Sequence, residues 1–431
     1  MLHKLALSVN AGSSSLKISL YQFTDNVEPP VTLILTSSIS DISSLPAKFF
    51  FKIQNDSSTK PGTEELPSIK DHASGFSHFL DVLKKQKDIN PDQITHICHR
   101  VVHGGDFKER VVINDESYHH IETLSDLAPL HNGAALSVIK ACLSALPKAK
   151  SVAYFDTSFH RSIPNHIASY AINPTVAHQR GLKKYGFHGL SYSFILRSVS
   201  EFLKRSPKTL SLICLHLGSG ASACAIRHGQ SIDTSMGLTP LTGLPGATRS
   251  GAIDPSLIFH YTNKAGRITH DPNMASDIHV TEAEDILNRK SGWKSLTGTT
   301  DFRLITKRAK LEHPASDENL DRLAFDLFID RILNYIGSYY LKLGGEVDAL
   351  IFSGGIGEKS KELRTVIAEN VRCLGFAQID ESKNKGLEGM DGVVFNVGLG
   401  EEGREAKKIL VCRTDEQLEM ARECALDGDF H

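Results

Sequence analysis

Arginines set among glycines, with histidines and one aspartate in similar settings, are the residues of this sequence best placed to do chemistry. They recur in short runs: His99-Arg100-Val101-Val102-His103-Gly104-Gly105, Phe155-Asp156-Thr157-Ser158-Phe159-His160 and Lys184-Tyr185-Gly186-Phe187-His188-Gly189. Two more are Ala128-Pro129-Leu130-His131-Asn132 and a stretch from Gly237 through Pro240 to Arg249 and Gly251. A guanidinium with few bulky neighbours can grip a carboxylate or phosphate through paired hydrogen bonds. The chemistry this invites is phosphoryl transfer, in which a protein positions the reactants and neutralises charge.

Such residues need rigid elements behind them, and the clearest is a hairpin pattern that occurs twice. Residues 5–21 and 212–226 each read as a β-rich apolar run, a tight turn of Gly, Ser and Ala, and a second run of alternating polarity. Turns of that composition expose backbone N–H groups with no bulk in the way, as a phosphate chain requires. One copy would be an ordinary hairpin. Two copies, the first carrying Lys17, predict a duplicated domain with a phosphate-bearing ligand held between the halves. A third site for such a ligand is the strand at 347–352, followed by Ser353-Gly354-Gly355-Ile356-Gly357-Glu358 and a helix running through Asn370.

With 431 residues the chain can hold two domains and ample core. Its net charge of -2 and lack of a basic stripe argue against nucleic-acid binding. No apolar run approaches a membrane span, and no signal-peptide core precedes the first strand. The seven cysteines form no CxxC pair and sit mostly in apolar runs, so they read as reduced, buried thiols of a cytoplasmic protein. The histidines show no structural zinc spacing.

Further elements follow from periodicity. Residues 25–74 are polar and read as peripheral and partly irregular, with short strands at 31–35 and 49–51. Helices are predicted at 76–86, 134–146, 320–343 and 414–425, the last capped by Thr414 with Gln417 three residues on. Strands are predicted at 94–102 and 152–155. The domains are expected at 1–157, completed by a C-terminal helix within 415–431, and at 158–414.

Taken together and in this order, the motifs resemble those of the acetate kinase family, in the superfamily of acetate and sugar kinases, heat-shock 70 proteins and actin. The match runs from Val9 to Arg422 and excludes only the stretch at 25–74, which resembles the inserts of eukaryotic, fungal-type members. The resemblance implies an α/β fold of duplicated ribonuclease H-like (actin-like ATPase) domains with an active-site cleft between them. It implies an ATP:acetate phosphotransferase giving acetyl phosphate and ADP, with Mg2+ or Mn2+, and a homodimer. Arg100 and Arg249 match the family's active-site arginines, His188 its transition-state histidine, and His131 an assisting histidine. Asn10 and Glu416 match the metal positions. Val102, Leu130, Phe187 and Pro240 match the pocket for the acetate methyl. Nucleotide contacts fall on Lys17, on His216, Leu217, Gly218, Ser219 and Gly220, on Asp301, Phe302 and Arg303, and on Gly354, Gly355, Ile356, Gly357 and Glu358. Asp156 matches an aspartate described as a proton acceptor. Acetate is already ionised at pH 7, so the physical reading is that Asp156 orients an arginine or a metal-bound water.

Two departures bear on the donor: Ser219 stands where the family has asparagine, and Lys359 follows Glu358 where it has asparagine. Propionate or butyrate kinase and pyrophosphate-dependent acetate kinase are the alternative activities, and a non-catalytic nucleotide switch is the alternative class. Plainer readings also stand. His103, His120, His160 and His178 are structural, Trp293 packs, Asp301 and Arg303 can pair with each other, and Glu416 can serve only its helix dipole.

Overall fold

A computed structural model describes residues 4–427 except 13, 25–29, 43–45, 55–62, 87–88, 127–128, 262–267, 270–279, 317 and 400–405. Among these, one compact unit comprises the residues up to Ser158 together with those from Asp415 onward, and a second runs from Phe159 to Thr414.

The first unit is built on β1 (Leu5–Ala11), β2 (Leu16–Phe23), β3 (Val31–Ser40), β4 (Ala47–Ile53), β5 (Thr63–Leu66), β6 (Ile94–Val101), β7 (Val111–Val112) and β8 (Lys150–Phe155). They form one sheet in the order β5-β4-β3-β2-β1-β6-β8-β7. The run β1-β6-β8 is parallel, whereas β1-β2, β2-β3 and β7-β8 are antiparallel.

The second unit contains β9 (Ser211–Leu217), β10 (Ala221–Arg227), β11 (Gln230–Thr234), the small pair β12 (Ile268–Thr269) and β13 (Val280–Thr281), β14 (Ala349–Ser353), β15 (Val394–Asn396) and β16 (Lys408–Cys412). Its main sheet is ordered β11-β10-β9-β14-β16-β15. Here β9-β14-β16 is parallel and β9-β10, β10-β11 and β15-β16 are antiparallel. The order and sense of β3-β2-β1-β6-β8 thus recur in β11-β10-β9-β14-β16. The two hairpins seen in the sequence are β1-β2 and β9-β10, in equivalent places.

Every residue of β1, β14 and the parallel strand β9 apart from His216 is buried, as expected of strands covered on both faces. In the first unit the helix Glu416–Leu426 packs on β1 and β6. It is tied to β1 where the Ser8 hydroxyl donates to the Gln417 carbonyl at 2.9 Å and the Gln417 amide donates to the Ser8 carbonyl at 3.2 Å. In the second unit the helix Leu320–Lys342 buries Ala324, Phe328, Ile332 and Tyr339 along one stripe. Leu320 and Leu323, in its first turn, are exposed. Trp293 lies in this core, its ring against Phe302 and Phe328.

The described part of the 25–74 stretch is more regular than its composition indicates, since β3, β4 and β5 extend the sheet. Leu35, Ser37 and Ile39 alternate inward along β3, and Ser and Thr between them conceal the period-two pattern. The helix expected from Ala134 begins at Pro129, a residue suited to the first helical turn. The final helix is capped by Asp415, which accepts the Leu418 N–H at 2.9 Å. The Thr414 hydroxyl is engaged with Ser191 instead.

His99, on β6, is buried, with Nε2 3.2 Å from the Ser151 hydroxyl. Burial holds its imidazole down to about 3, so the folded state keeps it neutral while the unfolded chain takes up a proton below about 6.5. Its contribution is therefore complete above that value and falls as pH drops, by up to about 1.4 kcal/mol per pH unit. Urea unfolding at pH 7.5 and 5.0 should show a larger loss of stability for the native chain than for His99→Gln. Equal losses would contradict this placement of the histidine.

Candidate active site

In the first unit the polar groups gather where the parallel strands end. Asn10 is the penultimate residue of β1 and pairs across the hairpin with the exposed Lys17 of β2. Arg100 lies at the end of β6, and Asp156 directly follows β8, held by its N–H on the Val101 carbonyl at 3.1 Å. The Asp156 carboxylate is fully buried and accepts Arg100 Nε at 3.0 Å and Nη2 at 2.6 Å, a two-pronged ion pair. Arg100 Nη1 then donates to Asn10 Oδ1 at 3.1 Å and lies 3.3 Å from Glu416 Oε2. Asn10 Nδ2 closes the network by donating to Glu416 Oε2 at 2.8 Å. Burial by itself would lower the Arg100 pKa, but Asp156 and Glu416 outweigh it and push it up. The cation is therefore permanent and its plane is fixed. Burial raises the carboxyl of Asp415, the neighbouring cap.

Val102 follows β6, half-buried, and leads into His103-Gly104-Gly105. The Asn132 amide pins that loop, accepting the His103 N–H and donating to its carbonyl, both at 3.0 Å. Gly104 is required there, because a Cβ would lie 2.6 Å from the Phe155 ring. Leu130 and His131 fall in the first turn of the helix Pro129–Ala145; their side chains lie outside the described residues.

In the second unit the hairpin turn is one residue shorter. Leu217 and Ala221 close it, as Ala11 and Leu16 close the first. One pair further from the turn, His216 faces Ser222 where the first copy has Asn10 facing Lys17. His188 sits beside them in the left-handed region (φ 59°), just before the helix Gly189–Leu203. A residue other than glycine adopts this at a cost of order 1 kcal/mol. Its Nδ1 is 2.8 Å from the Ser222 hydroxyl, and its ring stacks on His216 with centroids 4.1 Å apart. His216 Nδ1 is in turn 2.8 Å from the Ser191 hydroxyl. The preceding Phe187 is buried, its carbonyl accepting from the buried His160 at 2.9 Å.

Arg249 joins this cluster over the hairpin turn. Its Nη1 donates to the carbonyl of buried Pro240 at 3.4 Å, and a Cβ on Gly220 would lie 2.9 Å from that nitrogen. The arginine's loop is fastened to the turn by the Ala247 N–H on the Ser219 carbonyl at 2.8 Å. On the other flank Gly354 adopts φ +73°, and a Cβ there would lie 2.7 Å from the Leu217 carbonyl oxygen. The end of β9 at Leu217 and the start of the Gly354–Glu358 segment thus meet backbone to backbone. The helix expected to run on to Asn370 is broken at Ser360 into Gly354–Lys359 and Lys361–Val371. Ile356 packs against the core. Glu358 accepts the Thr414 N–H at 3.3 Å, and burial pushes its carboxyl up.

The third nucleotide segment is less convergent. Asp301 and Arg303 have half- and largely exposed side chains 3.7 Å apart and so pair with each other, while Asp301 caps the helix Phe302–Arg308. The Phe302 ring is a core group among Trp293, Phe325 and Phe328. Its ring is taken up by this packing, so a contact from this residue to a ligand would have to come from its backbone. Ser191, Tyr192 and Ser222 were not singled out by their sequence setting. Ser222 is identifiable only by counting outward from the two turns.

A divalent cation fits the first cluster by its donor chemistry. Glu416 and the Asn10 carbonyl oxygen are hard oxygen donors side by side, and one guanidinium faces two carboxylates, leaving a local excess of negative charge. No group of three His, Cys, Asp or Glu forms a closed cage among the described residues.

Known proteins give the arrangement its family. The model of the Acetokinase family matches residues 5–422. A probable acetate kinase of Emericella nidulans is 50% identical, with 98% of each chain covered. The crystal structure of a propionate kinase from Francisella tularensis superposes with a TM-score of 0.81 at 33% identity, covering 97% of this chain and 98% of that one. Porphyromonas gingivalis acetate kinase gives 0.78 at 28% identity, with the same coverage. The fold is the duplicated actin-like ATPase fold. On the span of the family match and the identity to these relatives, the chain is a kinase and belongs to the acetokinase family.

Proposed function

We propose that this chain transfers the terminal phosphoryl group of ATP to acetate, reversibly, giving acetyl phosphate and ADP. The observation that carries the proposal is the Arg100 fork: a guanidinium locked by Asp156 at a strand end, beside Asn10 and Glu416. An acetate oxygen attacks the γ-phosphorus as the bond to the β,γ-bridging oxygen breaks, in line, and ADP leaves with that electron pair. Arg100 orients the acetate carboxylate. Arg100, Arg249 and His188 neutralise the equatorial oxygens as their charge develops, and His131 assists. The reaction requires no proton transfer, so the work of Asp156 is to hold Arg100. When bound at Asn10 and Glu416, magnesium supplies positive charge to the phosphate oxygens. Lys17, the His216–Gly220 turn and the Gly354–Glu358 turn hold the phosphates and nucleoside, with Asp301 and Arg303 at the nucleoside end. Val102, Leu130, Phe187 and Pro240 bound the acetate methyl. The enzyme is inferred to act as a cytoplasmic homodimer.

A second acceptor merits testing because a propionate kinase is among the close structural relatives. Ser219 raises the question of the donor: its side chain is exposed while its carbonyl is committed to Ala247. An actin-like nucleotide switch would need the hairpins but has no use for the Arg100–Asp156 fork.

Trapping acetyl phosphate as the hydroxamate, with ATP or pyrophosphate as donor and acetate or propionate as acceptor, should give the highest kcat/KM for ATP with acetate. Absence of product with every pair would end the kinase reading. Arg249→Ala should lower kcat by about 10²–10³-fold; a change in nucleotide affinity alone would favour the switch. Asp156→Asn should lower kcat about 10²-fold or more by freeing the guanidinium, with the rate profile between pH 6 and 8.5 keeping its shape. Loss of a basic limb in that variant would instead mark Asp156 as a proton acceptor.

A further inference from the structure

The largest fully buried side chain described is a cation, Arg364, on the helix Lys361–Val371. It is 1% exposed, and among the described residues no carboxylate lies within ion-pair distance of it, although Glu362 and Glu358 attract it from further off. Its donors go to neutral oxygens: Nε to Asn384 Oδ1 at 2.7 Å, Nη2 to the Asn384 carbonyl at 3.1 Å, and Nη1 to the carbonyls of Gly357 and Glu358, each at 2.8 Å. Asn384 is itself buried and held by the Lys361 carbonyl and the Thr365 hydroxyl, each at 3.1 Å. Burial pulls the guanidinium down only to about 10, so it is charged at neutral pH.

A buried cation with no ion-pair partner in contact is a costly way to fill a core, and an apolar side chain of similar volume would fill it more stably. What this one does is local. It clamps the carbonyls that end the Gly354–Lys359 turn, while the front of the same turn is pressed on Leu217 by Gly354. Gripped from behind and in front, the turn has one backbone conformation.

We propose that Arg364 is a positioning residue for the nucleotide: it fixes the backbone of the Gly354–Glu358 turn, so that a nucleoside polyphosphate binds a preformed surface. The proposal rests on the reading of this turn as a nucleotide contact. It gives Arg364 no role toward acetate.

The test is calorimetric titration of the full chain with ADP and magnesium, alongside KM values for ATP and acetate and thermal melts, for native, Arg364→Lys and Arg364→Met proteins. Arg364→Met should weaken ADP by on the order of tenfold or more, with the acetate KM within about twofold. Arg364→Lys should recover part of the loss, because it keeps the charge but not the fork. A folded Arg364→Met protein that binds ADP as the native does overturns the proposal, and so does a parallel rise in both KM values. If Arg364→Met does not fold, unchanged ADP binding in Arg364→Lys overturns it equally. Failure of the native chain itself to bind ADP would instead overturn the reading of the turn, and the proposal with it.

Discussion

A strand buried on both faces can present polar chemistry only at its ends, and this constraint organises the whole chain. β1, β9 and β14 are almost wholly buried along their lengths. A charged group in mid-strand would have to be desolvated without a partner. In the first unit β1, β6 and β8 run parallel, and in the second β9, β14 and β16 do, so their carboxyl ends share one edge of each sheet. That edge is where Asn10, Arg100 and Asp156 lie in one unit and His216, Gly354 and Thr414 in the other. Open α/β sheets in general bind ligands outside the carboxyl ends of their strands. In this polypeptide polar groups gather at that edge in each of the two sheets.

The two applications have diverged in charge. The first edge holds one guanidinium between two carboxylates and suits a divalent cation. The second holds His188, His216 and Arg249, and suits anions. Divergence begins at matched positions of the hairpins, where Asn10 facing Lys17 has become His216 facing Ser222. Ser222 then reaches His188. Glycines decide how closely the pieces approach: Gly220 makes room for Arg249 and Gly354 for Leu217. The two edges thus share their strand order and differ in the side chains at the strand ends.

Much of the site was legible because local sequence marks strand ends. Apolar runs that stop at Asn10, Arg100 or Asp156 announce both the strand and the polar group it delivers. That Asp156 orients an arginine or a metal-bound water was legible, but not that the partner is Arg100, because the residues are 56 positions apart and meet only through parallel pairing of β6 with β8. Elements were misjudged where side-chain identity hides geometry. Ser and Thr on β3 mask its alternation, and Phe302 in a polar motif belongs to the aromatic core. The long helix after Gly354 conceals a break at Ser360, whose hydroxyl caps a new helix. Arg364 did leave a trace: it stands with Leu363, Ile367 and Val371 on the buried face of its helix, a place where a charge is always informative.

The central claim is that the carboxyl edge of both sheets binds the reactants. Backbone hydrogen exchange of the full chain, with and without magnesium, ADP and acetate, tests it most directly. New protection should appear at Asn10–Gly12, Val101–Gly105, Phe155–Thr157, His216–Gly220 and Ser353–Glu358, with the amino ends of β1, β6, β9 and β14 unchanged. Protection confined to one unit, or falling at the amino ends of these strands, would contradict it.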